Sequence, residues 1–187
     1  MKKKEFRQKE IEIRPNLHIS LLAVSDITQN YINWLNDYEI MKFTEQTIID
    51  HTFESVKSFV SNMNSSNENY LFGIFYSKEH IGNIKLGPIN LIHKTADISY
   101  VIGNKSYWGK GITSDVIGAL VKFAFEDLKL AKLSAGTYSI NEGSSKVLER
   151  NHFYKEADFK DQILFEGKRI NLYKFGLSAK DYFLKKK

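Results

Sequence analysis

The chain has 187 residues, 27 Lys plus Arg against 22 Asp plus Glu, and no cysteine, a length that accommodates one domain with a sizeable core. The missing thiols exclude disulfides, thiolate zinc sites and a cysteine nucleophile, and the histidines at 18, 51, 80, 93 and 152 show no paired ligand spacing, so no metal is expected. The net charge of +5 resides in the lysines at 2–4 and 185–187. Residues 1–15 and 179–187 therefore read as solvated basic tails on a nearly neutral domain at 16–178, with no nucleic-acid partner and no membrane partner expected. No apolar run of 18 residues and no leader-like segment occurs, which makes a soluble, untargeted, cytoplasmic protein the expectation.

Residues 17–24 are strand-like, and Ser25-Asp26 offers a cap to a helix whose Ile27, Tyr31, Trp34 and Leu35 share one face. Thr52 with Ser55 begins a second amphipathic helix carrying Phe53, Val56, Phe59 and Val60, and the polar run 62–69 reads as the loop that follows it. Three β segments come next, at 70–76, 81–89 and 96–102, with intervening polar segments that predict an antiparallel meander. The run 103–114, Gly-Asn-Lys-Ser-Tyr-Trp-Gly-Lys-Gly-Ile-Thr-Ser, leads into a helix marked by Val116, Ile117, Leu120, Val121, Ala124 and Leu128 and ending near Lys129. A strand at 132–138, a short helix at 144–150 and a hairpin formed by 153–165 and 170–177 around Glu166-Gly167-Lys168 complete the order. That order, β-α-α-β-β-β-α-β-α-β-β, predicts a single α+β domain with a mixed, mostly antiparallel sheet flanked by helices.

The run at 103–114 has the makings of an anion site. Gly109 and Gly111 permit a tight turn and close approach of a ligand, and the helix that follows offers its N-terminal N–H groups to phosphate. It is no P-loop, because Lys110 is followed by Gly111, and no dinucleotide fingerprint, because Ser114 stands where the third glycine belongs. On these residues alone, a phosphate-bearing ligand and a plain glycine turn both remain open.

A second run, Asn141-Glu-Gly-Ser-Ser-Lys-Val-Leu-Glu-Arg-Asn-His-Phe153, directly follows the strand at 132–138. With both runs in this order, residues 17–177 resemble the GNAT superfamily of acyl-CoA N-acyltransferases, especially the branch holding ribosomal-protein N-terminal acetyltransferases and bacterial amino-sugar acetyltransferases. The superfamily's cofactor-loop pattern, Q/R-x-x-G-x-G/A, falls on Trp108, Gly109, Lys110, Gly111, Ile112 and Thr113, with Thr113 in place of Gly or Ala. The branch's second pattern, N-x-x-S-x-x-V-L-E-K-x-G-F, matches at Asn141, Ser144, Val147, Leu148, Glu149 and Phe153, with Arg150 for Lys and His152 for Gly. If that glycine caps its helix in a left-handed conformation, His152 must tolerate the same geometry.

The resemblance implies acetyl-CoA as co-substrate, its pyrophosphate on the backbone of Gly109 to Ser114 and its pantetheine arm along Tyr100, Val101 and Ile102, with the Val101 N–H on the thioester carbonyl and Asn141 as a hydrogen-bonding group. It offers Asp97, in Ala96-Asp97-Ile98, as general base where other members carry Glu; a solvated strand carboxylate is the plainer alternative. Leu148 occupies a position where many members place a tyrosine acid, so Ser144 becomes the candidate that protonates the departing thiolate, with helix capping as its rival role. An Asx-turn is the rival role of Asn141. Glu45, Trp34 and His93 are candidate acceptor contacts, and Trp34, Phe43 and Trp108 are candidates to pave the acceptor pocket, with a place in the core as the plainer role of these aromatics. Without a cysteine, transfer must run directly between donor and amine. The expected acceptor is a small-molecule primary amine, an amino sugar or nucleotide-linked amino sugar first, the N-terminal amine of a protein second. A non-catalytic acyl-CoA-binding module is the alternative class, and the sequence leaves a homodimer open.

Overall fold

The computed structural model describes residues 10–186. Its sheet has eight strands: β1 (Glu10–Arg14), β2 (Leu17–Leu21), β3 (Tyr70–Tyr76), β4 (Glu79–Asn90), β5 (Thr95–Ile102), β6 (Lys132–Tyr138), β7 (Tyr154–Phe165) and β8 (Lys168–Ser178). Their spatial order is β1-β2-β3-β4-β5-β6-β8-β7, and the pairing is antiparallel throughout except between β5 and β6. Six α-helices accompany them: α1 (Gln29–Leu35), α2 (Tyr38–Met41), α3 (Phe53–Ser65), α4 (Ile112–Lys122), α5 (Glu142–Arg150) and α6 (Ala179–Lys185). This is the α+β arrangement read from the sequence, enlarged by an edge strand and by two short helices.

Two apolar layers hold the sheet. On one face α4 buries Val116, Ile117, Leu120 and Val121 against Phe72, Ile84, Ile98, Leu133 and Phe175, and Leu148 of α5 joins the same cluster. On the other, Tyr31 and Ile32 of α1 and Val56 and Val60 of α3 pack with Leu22 and Leu71. Strand β3 lies between the layers, which is why its Tyr-Leu-Phe-Gly-Ile run is buried without alternation.

Several local expectations need correction. The cap of α1 is Thr28, whose side chain accepts from the Tyr31 N–H; Ser25 and Asp26 lie in a preceding 3₁₀ turn in which the Asp26 carboxylate accepts from the Ala23 N–H. The run 62–69 is not all loop, because α3 continues to Ser65. The stretch assigned to a basic N-terminal tail contains β1, whose Ile11 and Ile13 turn inward while Glu10, Glu12 and Arg14 face water. At the other end α6 is capped by Ser178, its Tyr182 hydroxyl donates to Glu126 at 2.6 Å, Lys186 pairs with the same carboxylate, and Lys185 lies over the Tyr154 ring. These two lysines are therefore seated on the domain and are not a solvated tail; the lysines at 2–4 and 187 lie outside the described residues.

The ending of α5 answers the question raised by His152. The His152 N–H donates to the Glu149 carbonyl and the Phe153 N–H to the Leu148 carbonyl, the paired bonds of a Schellman cap, and His152 sits at φ 67°. A side chain with a Cβ is strained there. We expect His152→Gly to stabilise the domain by about 0.5–1 kcal/mol, read as a rise of roughly 1–4 °C in melting temperature; an unchanged or lowered melting temperature would show that the imidazole compensates.

Candidate active site

Strands β5 and β6 run parallel but stay paired for only three positions, Thr95 with Lys132, Ala96 with Leu133 and Asp97 with Ser134. Beyond Asp97 they part, although β5 continues to Ile102 and β6 to Tyr138. A wedge opens at their carboxyl ends, edged by residues 98–102 on one side and 135–138 on the other. Alternation sorts the side chains on its walls. Ile98, Tyr100, Ala135 and Thr137 turn toward α4 and α5, whereas Asp97, Ser99, Val101, Ser134 and Tyr138 turn to the opposite face, where α2 packs on β5.

The glycine run leaves the end of β5. Its first half is fixed: the Gly103 and Asn104 N–H groups both donate to the Ile81 carbonyl, Glu79 accepts from Asn104 and Tyr107, Lys105 pairs with Asp37 at 2.6 Å, and the Trp108 indole donates to the Ile102 carbonyl at 2.8 Å. The second half is a cradle. Gly109 and Gly111 lie at φ 73° and 76°, and a Cβ on either would meet no atom within 4 Å. Every other α-helix has a side-chain oxygen on its first turn, from Thr28, Asp37, Thr52, Asn141 or Ser178, but α4 begins at Gly111 with no side-chain cap. Its leading N–H groups, from Ile112, Thr113 and Ser114, point along the axis with nothing from the helix itself to accept them. Ile112 is buried and anchors this turn, Thr113 and Ser114 are half-buried, and Lys110 is exposed with its ammonium 5.2 Å from the Tyr107 ring centroid. The Ser114 hydroxyl accepts from Asn151, which ties the cradle to the far end of α5. This arrangement fits a phosphate-bearing ligand, since the cradle has space where a side chain would stand and the helix dipole favours an anion.

Across the wedge, Asn141 takes the capping role: its Oδ1 accepts from the Ser144 N–H at 3.1 Å. Ser144 is thereby released from its rival role, and its hydroxyl instead lies 2.8 Å from that of Tyr100. Burial pushes the Tyr100 hydroxyl up to about 12, so it stays protonated across the neutral range. Leu148, one turn further on, is fully buried in the core. Asp97 occupies the last position of β5 that pairs with β6, exposed, on the face opposite Tyr100, and among the described residues no ion pair engages its carboxylate.

The face that carries Asp97 has an aromatic wall of which the sequence singled out only Phe43. Phe43, Tyr138 and Phe165 meet through edge and stacked contacts, with centroids 5.7–6.4 Å apart. The Tyr138 hydroxyl donates to Glu45 at 2.8 Å and Tyr38 donates to Glu166 at 2.6 Å. Burial and the Glu45 carboxylate raise the Tyr138 hydroxyl to about 12. Glu45 is thus held beside the wedge by Tyr138. Two other candidates are not. His93 is exposed in the turn before β5, at the end of that strand remote from the glycine run, with its N–H bound to Asn90. Trp34 lies behind the run, against Gly103 and 5.1 Å from His80, so it supports the loop and does not line the wedge. Phe165 and Glu166 carried no sequence signal beyond the hairpin turn that places them.

Among the described residues no group of three or more His, Cys, Asp or Glu is placed to hold a metal ion, and no helix is long and apolar enough to cross a membrane. Comparison with known proteins agrees with the geometry. The family model described as Acetyltransferase (GNAT) domain matches residues 16–154. The chain is 36% identical over 103 residues to the probable N-acetyltransferase YjcK of Bacillus subtilis, covering 54% of this chain and 56% of that protein, so the match spans just over half of that relative. It is 27% identical over 129 residues to the acetyltransferase PseH of Campylobacter jejuni, covering 68% and 77%. Among solved structures, the ribosomal L7/L12 alpha-N-protein acetyltransferase RimL in complex with coenzyme A superposes with a TM-score of 0.83 at 18% identity, over 92% of this chain and 99% of that one. The family model covers well over half of the residues, and the chain belongs to the GNAT acetyltransferase family.

Proposed function

We propose that the protein transfers the acetyl group of acetyl-CoA directly to the primary amine of a small molecule. The observation that carries this reading is the wedge itself: a phosphate cradle at its mouth, a free strand edge along one wall, Asp97 on one face and Ser144 on the other. Oriented backbone N–H groups at 109–114 hold the donor's phosphates, and residues 98–102 of β5 offer an edge with which an amide-bearing arm pairs like an added strand. Val101 pairs with Asn83 of β4, so the β5 N–H groups that face the wedge are those of Tyr100 and Ile102, and one of these, in place of Val101, polarises the thioester carbonyl. The amine arrives on the face of Asp97 and Tyr138, where Asp97 accepts its proton, directly or through one water, because an aspartate reaches less far than a glutamate. The thiolate departs toward the face of α5, where Ser144 supplies a proton and the Nδ2–H of Asn141 remains to bond the arm.

For the acceptor, an amino sugar is the reading we favour. Phe43, Tyr138 and Phe165 form an apolar wall suited to the face of a sugar ring, flanked by Glu45 and Glu166 as hydroxyl acceptors. The resemblance to RimL, a ribosomal alpha-N-protein acetyltransferase, makes the N-terminal amine of a protein the second reading. Free-thiol release from acetyl-CoA, measured with amino sugars, nucleotide-linked amino sugars and N-terminal peptides, separates them; release with peptides alone would overturn the sugar reading. With a working acceptor, Asp97→Asn is expected to lower kcat by roughly a hundredfold while leaving the KM for acetyl-CoA nearly unchanged. Undiminished turnover would return Asp97 to the status of a solvated strand residue.

A further inference from the structure

Resting on the reading of Ser144 as the proton donor, we infer that Tyr100 is its positioning residue: the Tyr100 hydroxyl donates to Ser144 Oγ and so directs the serine's own proton into the wedge, toward the departing sulfur.

The two side chains are 44 residues apart and meet at 2.8 Å, one from the free edge of β5 and one from the first turn of α5. Tyr100 stands at the middle of the segment 98–102, which pairs with β4 on one side and leaves its other edge open where β6 has parted from it, the stretch along which the proposed donor arm runs. A serine in the first turn of a helix ordinarily spends its hydroxyl on a local backbone acceptor or on the cap. Here Asn141 holds the cap, and the serine oxygen is turned to the tyrosine. The tyrosine hydroxyl lies 3.5 Å from the Ser144 carbonyl, too far to compete with the 2.8 Å contact. A hydroxyl carries one hydrogen and two lone pairs. If Tyr100 donates to Ser144 Oγ, the serine hydrogen is left to rotate elsewhere, and the open direction is the wedge.

Leu148, one turn beyond Ser144, is apolar and fully buried, so it offers the departing sulfur no proton. A serine hydroxyl alone is a weak acid. Backed by a second hydroxyl it becomes part of a two-proton chain. As the new C–N bond forms and the C–S bond breaks, the sulfur takes the Ser144 proton and Ser144 takes the Tyr100 proton. Tyr100 is restored through solvent by the proton that Asp97 takes from the attacking nitrogen and then releases. One proton leaves the amine and one reaches the thiol, so charge balances with no further reactant. Because burial holds the Tyr100 hydroxyl up to about 12, the chain begins protonated at any pH at which the acceptor amine is usable.

The test is a double-mutant cycle with acetyl-CoA and the acceptor identified by thiol release. Tyr100→Phe keeps the ring and removes only the hydroxyl, so the melting temperature and the affinity for CoA should stay close to those of the parent. Its kcat should fall about tenfold or more with the KM for acetyl-CoA within about twofold, and the same substitution should have no further effect in a Ser144→Ala background. Full kcat in Tyr100→Phe, or equal losses in the parent and Ser144→Ala backgrounds, would overturn the positioning role. Full kcat in Ser144→Ala would sink the donor assignment of Ser144 itself, a distinguishable failure. A measurement on the parent protein guards against a variant that does not fold: single turnovers in mixed H₂O and D₂O should give a curved dependence on deuterium fraction, as two protons in flight require, and a straight line would overturn the chain.

Discussion

Gly111→Val should abolish measurable acetyl-CoA binding while the domain stays folded. At φ 76° Gly111 is in the left-handed region, and a Cβ there meets nothing within 4 Å. The protein itself therefore does not resist the new side chain sterically. The isopropyl group instead projects over the opening turn of α4, among the described residues the one α-helix start without a side-chain cap. It would fill the space a phosphate needs to reach the N–H groups of Ile112, Thr113 and Ser114. A charge-assisted bond from each of several amides would be lost together, and a weakening of at least a hundredfold in affinity is expected. The backbone cost is separate and smaller, about 1–2 kcal/mol for a branched residue held left-handed. Gly167 provides the control. It lies at φ 77° in the β7–β8 turn, also with open space around its Cβ position, so Gly167→Val should lose similar stability and bind acetyl-CoA normally. Calorimetric titration with acetyl-CoA reads the difference directly. Retained affinity in Gly111→Val would remove the glycine run from the donor site.

What the sequence disclosed and what it concealed follow one division. Features encoded in neighbouring residues were legible: the meander of β3, β4 and β5 and the glycine run with its helix depend on spacings of a few positions, whereas the cap of α5 was weighed for Ser144 and falls to Asn141, three positions earlier. The strand β1 had its signal too, since Glu-Ile-Glu-Ile-Arg alternates with the period of a strand, but its charges blended with the lysines that precede it. Features made by tertiary approach were not legible. Tyr100 was noticed for its backbone, yet its hydroxyl matters through Ser144, 44 positions away. Tyr138 meets Glu45 across 93 positions and Tyr38 meets Glu166 across 128. No local pattern records such meetings. His93 and Trp34 failed for the complementary reason: each is a residue type that suits an acceptor pocket, and residue type carries no information about which end of a strand, or which side of a loop, it occupies.

Trp34 nevertheless supports the site from behind, and Gly103→Ala is expected to expose that role with the largest loss of stability of any change argued here. A Cβ on Gly103 would lie 2.0 Å from Trp34 Cδ2 and 2.1 Å from Cε3, inside the indole ring system. The ring cannot retreat freely. It is 5.1 Å from His80 and 5.9 Å from Tyr31 by ring centroids, and His80 is itself held by Asn83 at 2.9 Å. Something must therefore shift at the end of β5, where the Gly103 N–H bonds the Ile81 carbonyl and the glycine run begins. Overpacking of this kind costs about 2–3 kcal/mol, or a fall of roughly 5–10 °C in melting temperature. The same shift moves the cradle relative to β5, so the KM for acetyl-CoA should rise severalfold, although Gly103 touches no part of the donor site. Shrinking the partner supplies the internal check. In a Trp34→Phe background the added methyl finds room, and Gly103→Ala should cost at least 1 kcal/mol less than in the parent. Equal costs in the two backgrounds would mean that the indole does not brace the loop.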